Sequence, residues 1–335
     1  MAPEAYNLDI LSEKKIIFKK NWAGKMRIYF SFLNIVDLFK TALGIIKSIG
    51  IVFNIYPDVV FGKGGFGSFP TLLAARILRI PVVIHESDSV PGRVNTWAAK
   101  FARRIAVSWS EAAEYFPPEK TAYTGQPVRK EFGESLKEGA REFLKLEEKT
   151  SIILILGGSL GSQIINDNIV SALPELVGKY QVIHQTGRNN FDEVVDRAEV
   201  VLENNPNKSR YHPFDYLNNL ALRMSAGASN LIVSRAGSTI FEIASWGKPS
   251  ILIPITESNG NHQRKNAFNY ERNGACSVIE EVNLTSNILA SEINRILESK
   301  EVTEKMTRAA KNFSKKDAAD KIAKEIISIA LEHEV

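Results

Sequence analysis

The chain has 335 residues, with 42 Lys and Arg against 38 Asp and Glu and a formal net charge of +4. Its composition, 44% apolar and 24% charged, excludes a disordered, collagenous or coiled-coil chain, and at roughly 150 residues per domain the length predicts two domains. The one cysteine, Cys276, excludes an intrachain disulfide and fits a reducing compartment; Cys and His are too sparse for a structural zinc site.

The opening stretch MAPEAYNLDILSEKK lacks the apolar core of a signal peptide. The longest apolar run, 41–61, is broken by Lys47, Asn54, Pro57 and Asp58 and is too interrupted to span a membrane as a helix, which needs about 20 mostly apolar residues. From Leu33 to Ile51 apolar side chains recur at helical spacing among lysines. Two readings fit: a core-facing helix with a solvated basic face, or a patch that rests on an anionic membrane surface.

From Pro57 short apolar runs alternate with amphipathic ones. PDVVF (57–61), IPVVIHE (80–86) and RIAVSW (104–109) read as strands; 69–79, with Pro70 in its first turn, and 95–103 read as helices. The charged stretch 129–150 reads as a connection and a surface helix, and places a domain boundary there, giving domains 1–130 and 131–335. The alternation then restarts. Strands are predicted at 151–158, 181–187, 230–237 and 248–255. Helices are predicted at 161–173, at 238–247 with Gly247 as its stop, at 262–274, and from Thr285 onward. Such βαβα alternation implies parallel sheets covered by helices, and two such halves imply a ligand cleft at the carboxyl ends of their strands.

Each half carries a glycine loop between strand and helix. In GKGGFGSFP (62–70) the glycines let backbone N–H groups approach an oxyanion, and Lys63 can add a full positive charge. GGSLGS (157–162) is built alike, with Ser159 and Ser162. One such loop reads more readily as a tight turn than as a ligand site; one per half points to phosphate or diphosphate. Neither is a Walker A motif, and no D-x-D occurs to bridge a diphosphate through a metal. In VSRAGSTIFEIASWGKPSILIP (233–254), Arg235 ends a strand, Ser238 or Thr239 is placed to cap a helix, and Glu242 lies one turn in. Glu242 reads either as a ribose ligand or as a capping-box glutamate. His85 and Glu86 follow a strand end and read as acid–base groups or as structural ones; Arg129, past the turn of TGQPVR (124–129), suits a phosphate.

Together, AGKMRIYFSFLNIVDLFK (23–40), PDVVFGKGGFGSFP (57–70), IPVVIHESDSVPGRVN (80–95), TGQPVR, GGSLGSQIIN (157–166), SRAGSTIFEIASWGKPSILIP (234–254) and HQRKNA (262–267) resemble the MurG family of peptidoglycan N-acetylglucosaminyltransferases, in the family's order and over almost the whole chain. The resemblance implies an α/β fold of the GT-B type: two Rossmann-like domains with parallel sheets facing a central cleft. The N-terminal one would serve acceptor and membrane, the C-terminal one UDP-GlcNAc, and the last helix would pack back on the first. It implies metal-independent, inverting transfer of GlcNAc from UDP-GlcNAc to the MurNAc 4-hydroxyl of lipid I, forming lipid II at the cytoplasmic face of the cell membrane, with no cofactor and no nucleic acid. By the same resemblance Arg129 and Ser159 meet the diphosphate, Leu217 offers its backbone to uracil, and Ser238, Thr239, Ile240, Phe241 and Glu242 form the donor loop and helix. Gln263 meets the GlcNAc, and Lys63, Gly64, Gly65, Gly67 and Ser68 face the acceptor diphosphate.

Three departures stand out. The family's opening strand and its G-G-[TS]-G-G-H loop have no counterpart here, so the usual candidate base is expected to be missing and His85, then Glu86, take its place. Asp88 stands where the family has Asn, at a substrate contact. RAGSTIFE is one residue shorter than the family's R-x-G-A-x-T-x-x-E. Rival readings are a catalytically impaired UDP-sugar-binding protein of the wall-synthesis machinery, another GT-B lipid glycosyltransferase, or a UDP-GlcNAc epimerase.

Overall fold

The structure, a computed structural model, describes residues 1–5, 8–25, 31–158, 161–256 and 261–332, with 9 and 10 as backbone only. The chain divides into two compact units, Met1–Gln126 with Asp317–Val335, and Pro127–Lys316.

In chain order the first unit holds α1 (Leu8–Glu13), α2 (Leu33–Ile55), β1 (Val60–Gly62), α3 (Phe69–Ile77), β2 (Val82–Glu86), α4 (Arg93–Ala98), β3 (Arg104–Val107) and β4 (Thr121–Tyr123). Its described strands form one parallel sheet in the order β1-β2-β3-β4. β1 starts later than the apolar run suggests, because its partner begins only after Pro81: Val60 pairs with Val82. β3 is shorter than predicted. Trp109 leaves the ladder to bury its indole completely and donate Nε1–H to the Ser87 carbonyl, 3.1 Å away. α4 is likewise shorter than the 95–103 expected. α2 turns small residues inward: Gly44, Ser48 and Val52 are buried, and a Cβ on Gly44 would lie 1.7 Å from the Trp22 carbonyl oxygen. Its large side chains face solvent, among them Phe32 just before it, Ile35, Phe39, Leu43, Ile46 and Phe53. The helix thus packs inward only through a face of small residues and leaves its large apolar side chains in solvent. Among the described residues no helix is long and apolar enough to cross a membrane.

The second unit holds α5 (Ala140–Phe143), β5 (Ser151–Leu156), α6 (Gln163–Lys179), β6 (Tyr180–Gln185), α7 (Phe191–Val201), β7 (Tyr211–Phe214), α8 (Asn219–Ala228), β8 (Leu231–Ser234), α9 (Thr239–Trp246), β9 (Ser250–Leu252), α10 (His262–Arg272), β10 (Cys276–Val278), α11 (Ser286–Leu297) and α12 (Lys300–Phe313). α13 (Ala318–Leu331) belongs to the first unit, where Glu325 pairs with Arg104 at 2.7 Å and Glu332 with Arg103. The second sheet is parallel throughout, ordered β10-β9-β8-β5-β6-β7. Ile152, Ile153, Leu154 and Ile155 of β5 are fully buried, as a central strand covered on both faces requires. β9 is only three residues long, since Pro249 and Pro254 cannot donate to a ladder. The stretch 129–150, expected to hold a surface helix, forms one short 3₁₀ turn at Lys130–Phe132 and the single turn α5.

The strand order reverses direction between β5 and β8. In an open parallel sheet that switch point opens a crevice beyond the carboxyl ends of the two strands. The loops that follow them, at 157–162 and 235–238, therefore define the ligand crevice of this unit.

Candidate functional site

In the second unit, the loop after β5 closes on the next strand connection. Gly161 has φ +78°, and a Cβ there would meet the Thr186 carbonyl oxygen at 2.0 Å, so only glycine lets the two backbones approach. That same carbonyl accepts from Asn166 Nδ2 at 3.0 Å and Asn190 Nδ2 at 3.1 Å. Asn166 in turn fixes the tautomer of the fully buried His184. With its Nδ2 donating to Thr186, its Oδ1 must accept, so His184 Nε2 carries the proton (3.0 Å), and His184 Nδ1 accepts from the Tyr211 hydroxyl (3.0 Å). Burial pushes the His184 pKa down to about 3, which keeps this chain of bonds neutral.

Arg235, at the end of β8, donates to Ser162 Oγ at 2.6 Å, Glu281 Oε1 at 2.6 Å and the Ile253 carbonyl at 3.1 Å. The guanidinium thus sits at the start of α6, with its charge paired to the Glu281 carboxylate. Glu281 also accepts from the Thr256 N–H at 2.9 Å. Ser162, read as a donor for phosphate, is an acceptor here. Ser159 lies outside the described residues.

Ser238 is the N-cap of α9 but makes no side-chain cap, because its backbone is already helical. Thr239 opens the helix, and Ile240 and Phe241 turn into the core, Phe241 stacking on Phe313 at 5.9 Å between ring centroids. Only their backbone remains for a ligand. Glu242 lies beyond the capping-box position. Burial raises its pKa and the neighbouring Arg129 lowers it, so the two groups are within electrostatic reach. Arg129 lies 3.9 Å over the Phe132 ring, a cation–π contact that orients the guanidinium. Gln263 turns its Oε1 back to the Ile255 N–H at 3.2 Å. The Leu217 N–H is committed to Gln185 Oε1 at 3.0 Å, which leaves the Leu217 carbonyl as the backbone group to meet a base.

In the first unit, Glu86 accepts from the N–H groups of Asp88 and Gly92, both at 3.0 Å, and from Asn95 Nδ2 at 2.8 Å; it thereby organises the 87–95 turn. Burial raises its pKa against those three bonds. His85 is fully buried. Its Nε2 faces the Gly125 carbonyl at 3.3 Å and Ser108 Oγ at 3.1 Å. Ser108 spends its own proton on Gln126 Oε1 at 2.9 Å, so Nε2–H is the donor and Nδ1 keeps a bare lone pair with no hydrogen-bond partner. Desolvation, then Lys63, hold the His85 pKa down to about 4, against the Gly125 bond. Much of Lys63 is exposed, yet packing around its ammonium lowers its pKa while Glu86 raises it. In the glycine loop the Ser68 hydroxyl binds the Gly64 and Gly65 carbonyls, both at 2.9 Å, so it braces the loop rather than facing a ligand; Gly65 and Gly67 expose backbone.

Sequence reasoning overlooked three of these groups. Gln185, Asn166 and Glu281 act through partners 18 to 46 residues away, which no local motif reveals.

Two parallel α/β units, the second with a switch-point crevice behind a glycine loop and Arg235 and with Arg129 within electrostatic reach of the half-buried Glu242, fit the GT-B class of glycosyltransferases. Residues 2–107 match the glycosyltransferase family 28 N-terminal domain and residues 152–322 the family 28 C-terminal domain. A UDP-N-acetylglucosamine–N-acetylmuramyl-(pentapeptide) pyrophosphoryl-undecaprenol N-acetylglucosamine transferase of Bacillus cereus is 37% identical over 319 residues, 95% of this chain and 87% of its own. One from Clostridium novyi is 35% identical over 92% of this chain and 85% of its own. In fold the chain is similar to MurG of Acinetobacter baumannii (TM-score 0.74, 22% identity, 98% of this chain and 89% of that one). It is also similar to a UDP-GlcNAc 2-epimerase from Neisseria meningitidis (TM-score 0.64, 18% identity, 95% and 88%). The chain belongs to glycosyltransferase family 28 and, within it, to the MurG family of N-acetylglucosamine transferases.

Proposed function

We propose that this chain moves GlcNAc from UDP-GlcNAc to the 4-hydroxyl of MurNAc in lipid I, with inversion, giving lipid II and UDP. The observation that carries this is the switch-point crevice of the second unit, whose glycine loop meets the start of α6 with Arg235 behind it. As the bond to the anomeric carbon breaks, negative charge gathers on the leaving diphosphate. Fixed N–H groups of the 157–162 loop, the Ser159 hydroxyl and the Arg129 guanidinium stabilise it, each such donor contributing about 3 kcal/mol to the transition state. The Leu217 carbonyl accepts from uracil N3–H, and Glu242 accepts from the ribose diol. Ser238, Thr239 and the backbone of Ile240 and Phe241 line the donor loop, and Gln263 meets the sugar.

The first unit takes the acceptor. Backbone N–H groups of the 63–68 loop and the Lys63 ammonium face its diphosphate, Asp88 meets its sugar, and His85, then Glu86, are the candidates to take the hydroxyl proton, His85 needing the 87–95 turn to move since it is buried. The exposed apolar side chains of α2, with Lys25, Lys40 and Lys47, rest on the anionic cytoplasmic face of the membrane.

The test is incubation with UDP-GlcNAc and a short-chain lipid I analogue. Disaccharide product and UDP in equal amounts are expected. Tight UDP binding with no transfer would replace this reading with that of a UDP-sugar-binding protein; epimer formation without acceptor would replace it with an epimerase.

A further inference from the structure

We propose that Gln185 is a positioning residue that locks the uracil contact to the diphosphate loop, so that the donor crevice reads base and diphosphate as one rigid unit. The inference rests on the donor reading above. Gln185 ends β6 and is almost fully buried. Its Oε1 accepts the Leu217 N–H at 3.0 Å, and its Nε2 donates to the Gly158 carbonyl at 3.3 Å. The partners fix which end is which, since an N–H requires the oxygen and a carbonyl requires the nitrogen. One planar amide therefore spans two segments that lie 59 residues apart in sequence, one proposed to meet uracil and the other the diphosphate.

The surroundings make this bridge stiff. The next residue, Thr186, is gripped at its carbonyl by Asn166 and Asn190 and lies against Gly161 with no room for a Cβ. Gln185 cannot shift without moving the end of β6 and the far side of the glycine loop together. Pre-organisation of this kind spares the ligand the cost of ordering two loops, which appears as affinity.

The experiment is calorimetry of UDP and of uridine on the full chain, with thermal unfolding of each variant. Gln185→Glu keeps the acceptor for Leu217 but sets a carboxylate oxygen against the Gly158 carbonyl. Uridine affinity should hold within about twofold while UDP affinity falls about tenfold, the scale of one lost hydrogen bond with an unsatisfied partner. Gln185→Met, of similar shape, removes both bonds without a charge, and both ligands should weaken. An equal loss of UDP and uridine in Gln185→Glu, or no loss in either variant, overturns the inference while the wild-type chain still binds UDP. A wild-type chain that takes up no UDP overturns the donor reading and this inference together. If neither variant folds, hydrogen exchange on the wild-type chain decides: a protected Leu217 amide before UDP is added supports the bridge, and fast exchange there overturns it.

Discussion

His184 shows how far a single side chain can be determined by its neighbours. Asn166 dictates its tautomer, Tyr211 occupies its lone pair, and burial keeps it neutral. His85, in the other unit, is also buried and neutral, but with Nδ1 left open. Both have folded-state pKa values below the unfolded value of about 6.5, so the unfolded chain binds more protons in acid. Their stabilising effect is complete above about pH 6.5 and is lost as pH falls toward 4 for His85 and 3 for His184. Urea unfolding between pH 7 and pH 4.5 should show stability falling as pH drops, shallowly near pH 7 and with a limiting slope of at most about 1.4 kcal/mol per pH unit for each histidine near pH 5. Gln in place of His184 should flatten that slope in the second unit. For catalysis, His85→Ala should lower kcat at least about 100-fold and remove an acidic limb from its pH profile; unchanged turnover would rule His85 out as the base. At this scale the sequence is legible where a motif is local. Glu242 and Arg129 stand in recognisable strings. Gln185 does not, because it ends YQVIHQ, a wholly buried run in which a polar side chain reads simply as part of the strand.

Among the elements, α9 links separate contacts. Its first turn carries Glu242. Its last turn carries Ser245, which donates to the Gly133 carbonyl at 3.1 Å, and Trp246, whose Nε1–H donates to the Phe132 carbonyl at 2.7 Å. Phe132 is the ring under Arg129. One helix thus sets the place of Glu242 and, through the tryptophan, of Arg129, the groups proposed above to meet the ribose and the diphosphate. Trp246→Phe should cost about 1–2 kcal/mol of stability, the unsatisfied carbonyl being the cause, and should weaken UDP more than uridine in calorimetry. The helix and its stop at Gly247 are readable from apolar spacing and the glycine, and β5 from its unbroken apolar run. β7 is not readable: YHPF contains a proline and a histidine, and only pairing with β6 makes it a strand. The charged 129–150 stretch misleads in the opposite direction. Its helix-forming residues suggest a helix, but the backbone is drawn into bonds from α8 and α9: Leu136 N–H to the Arg223 carbonyl, and Trp246 to Phe132.

Over the whole molecule, the face of α2 is the largest departure from ordinary globular economy. Phe32 is 77% exposed and Ile46 68%. A soluble surface seldom carries so many apolar groups side by side, and such a face marks a contact. With anionic vesicles the chain should co-sediment, and raised salt should weaken but not abolish binding, since screening acts on the lysines and not on the apolar side chains. A double change, Phe39→Glu with Ile46→Glu, should release the chain from vesicles at any salt and leave UDP uptake in the second unit untouched. Retention on vesicles would remove the membrane role from this helix.

The assignment of α13 to the first unit has a consequence for biosynthesis. The polypeptide runs through the first unit, makes all of the second, and only then supplies the helix that completes the first. As the ribosome proceeds from N- to C-terminus, the sheet of the first unit emerges long before α13 is made and must wait for that segment. The first unit is thus begun first and completed last, and a released chain ending at residue 316, which lacks α13 but keeps all of the second unit, should on the proposed donor role still capture UDP.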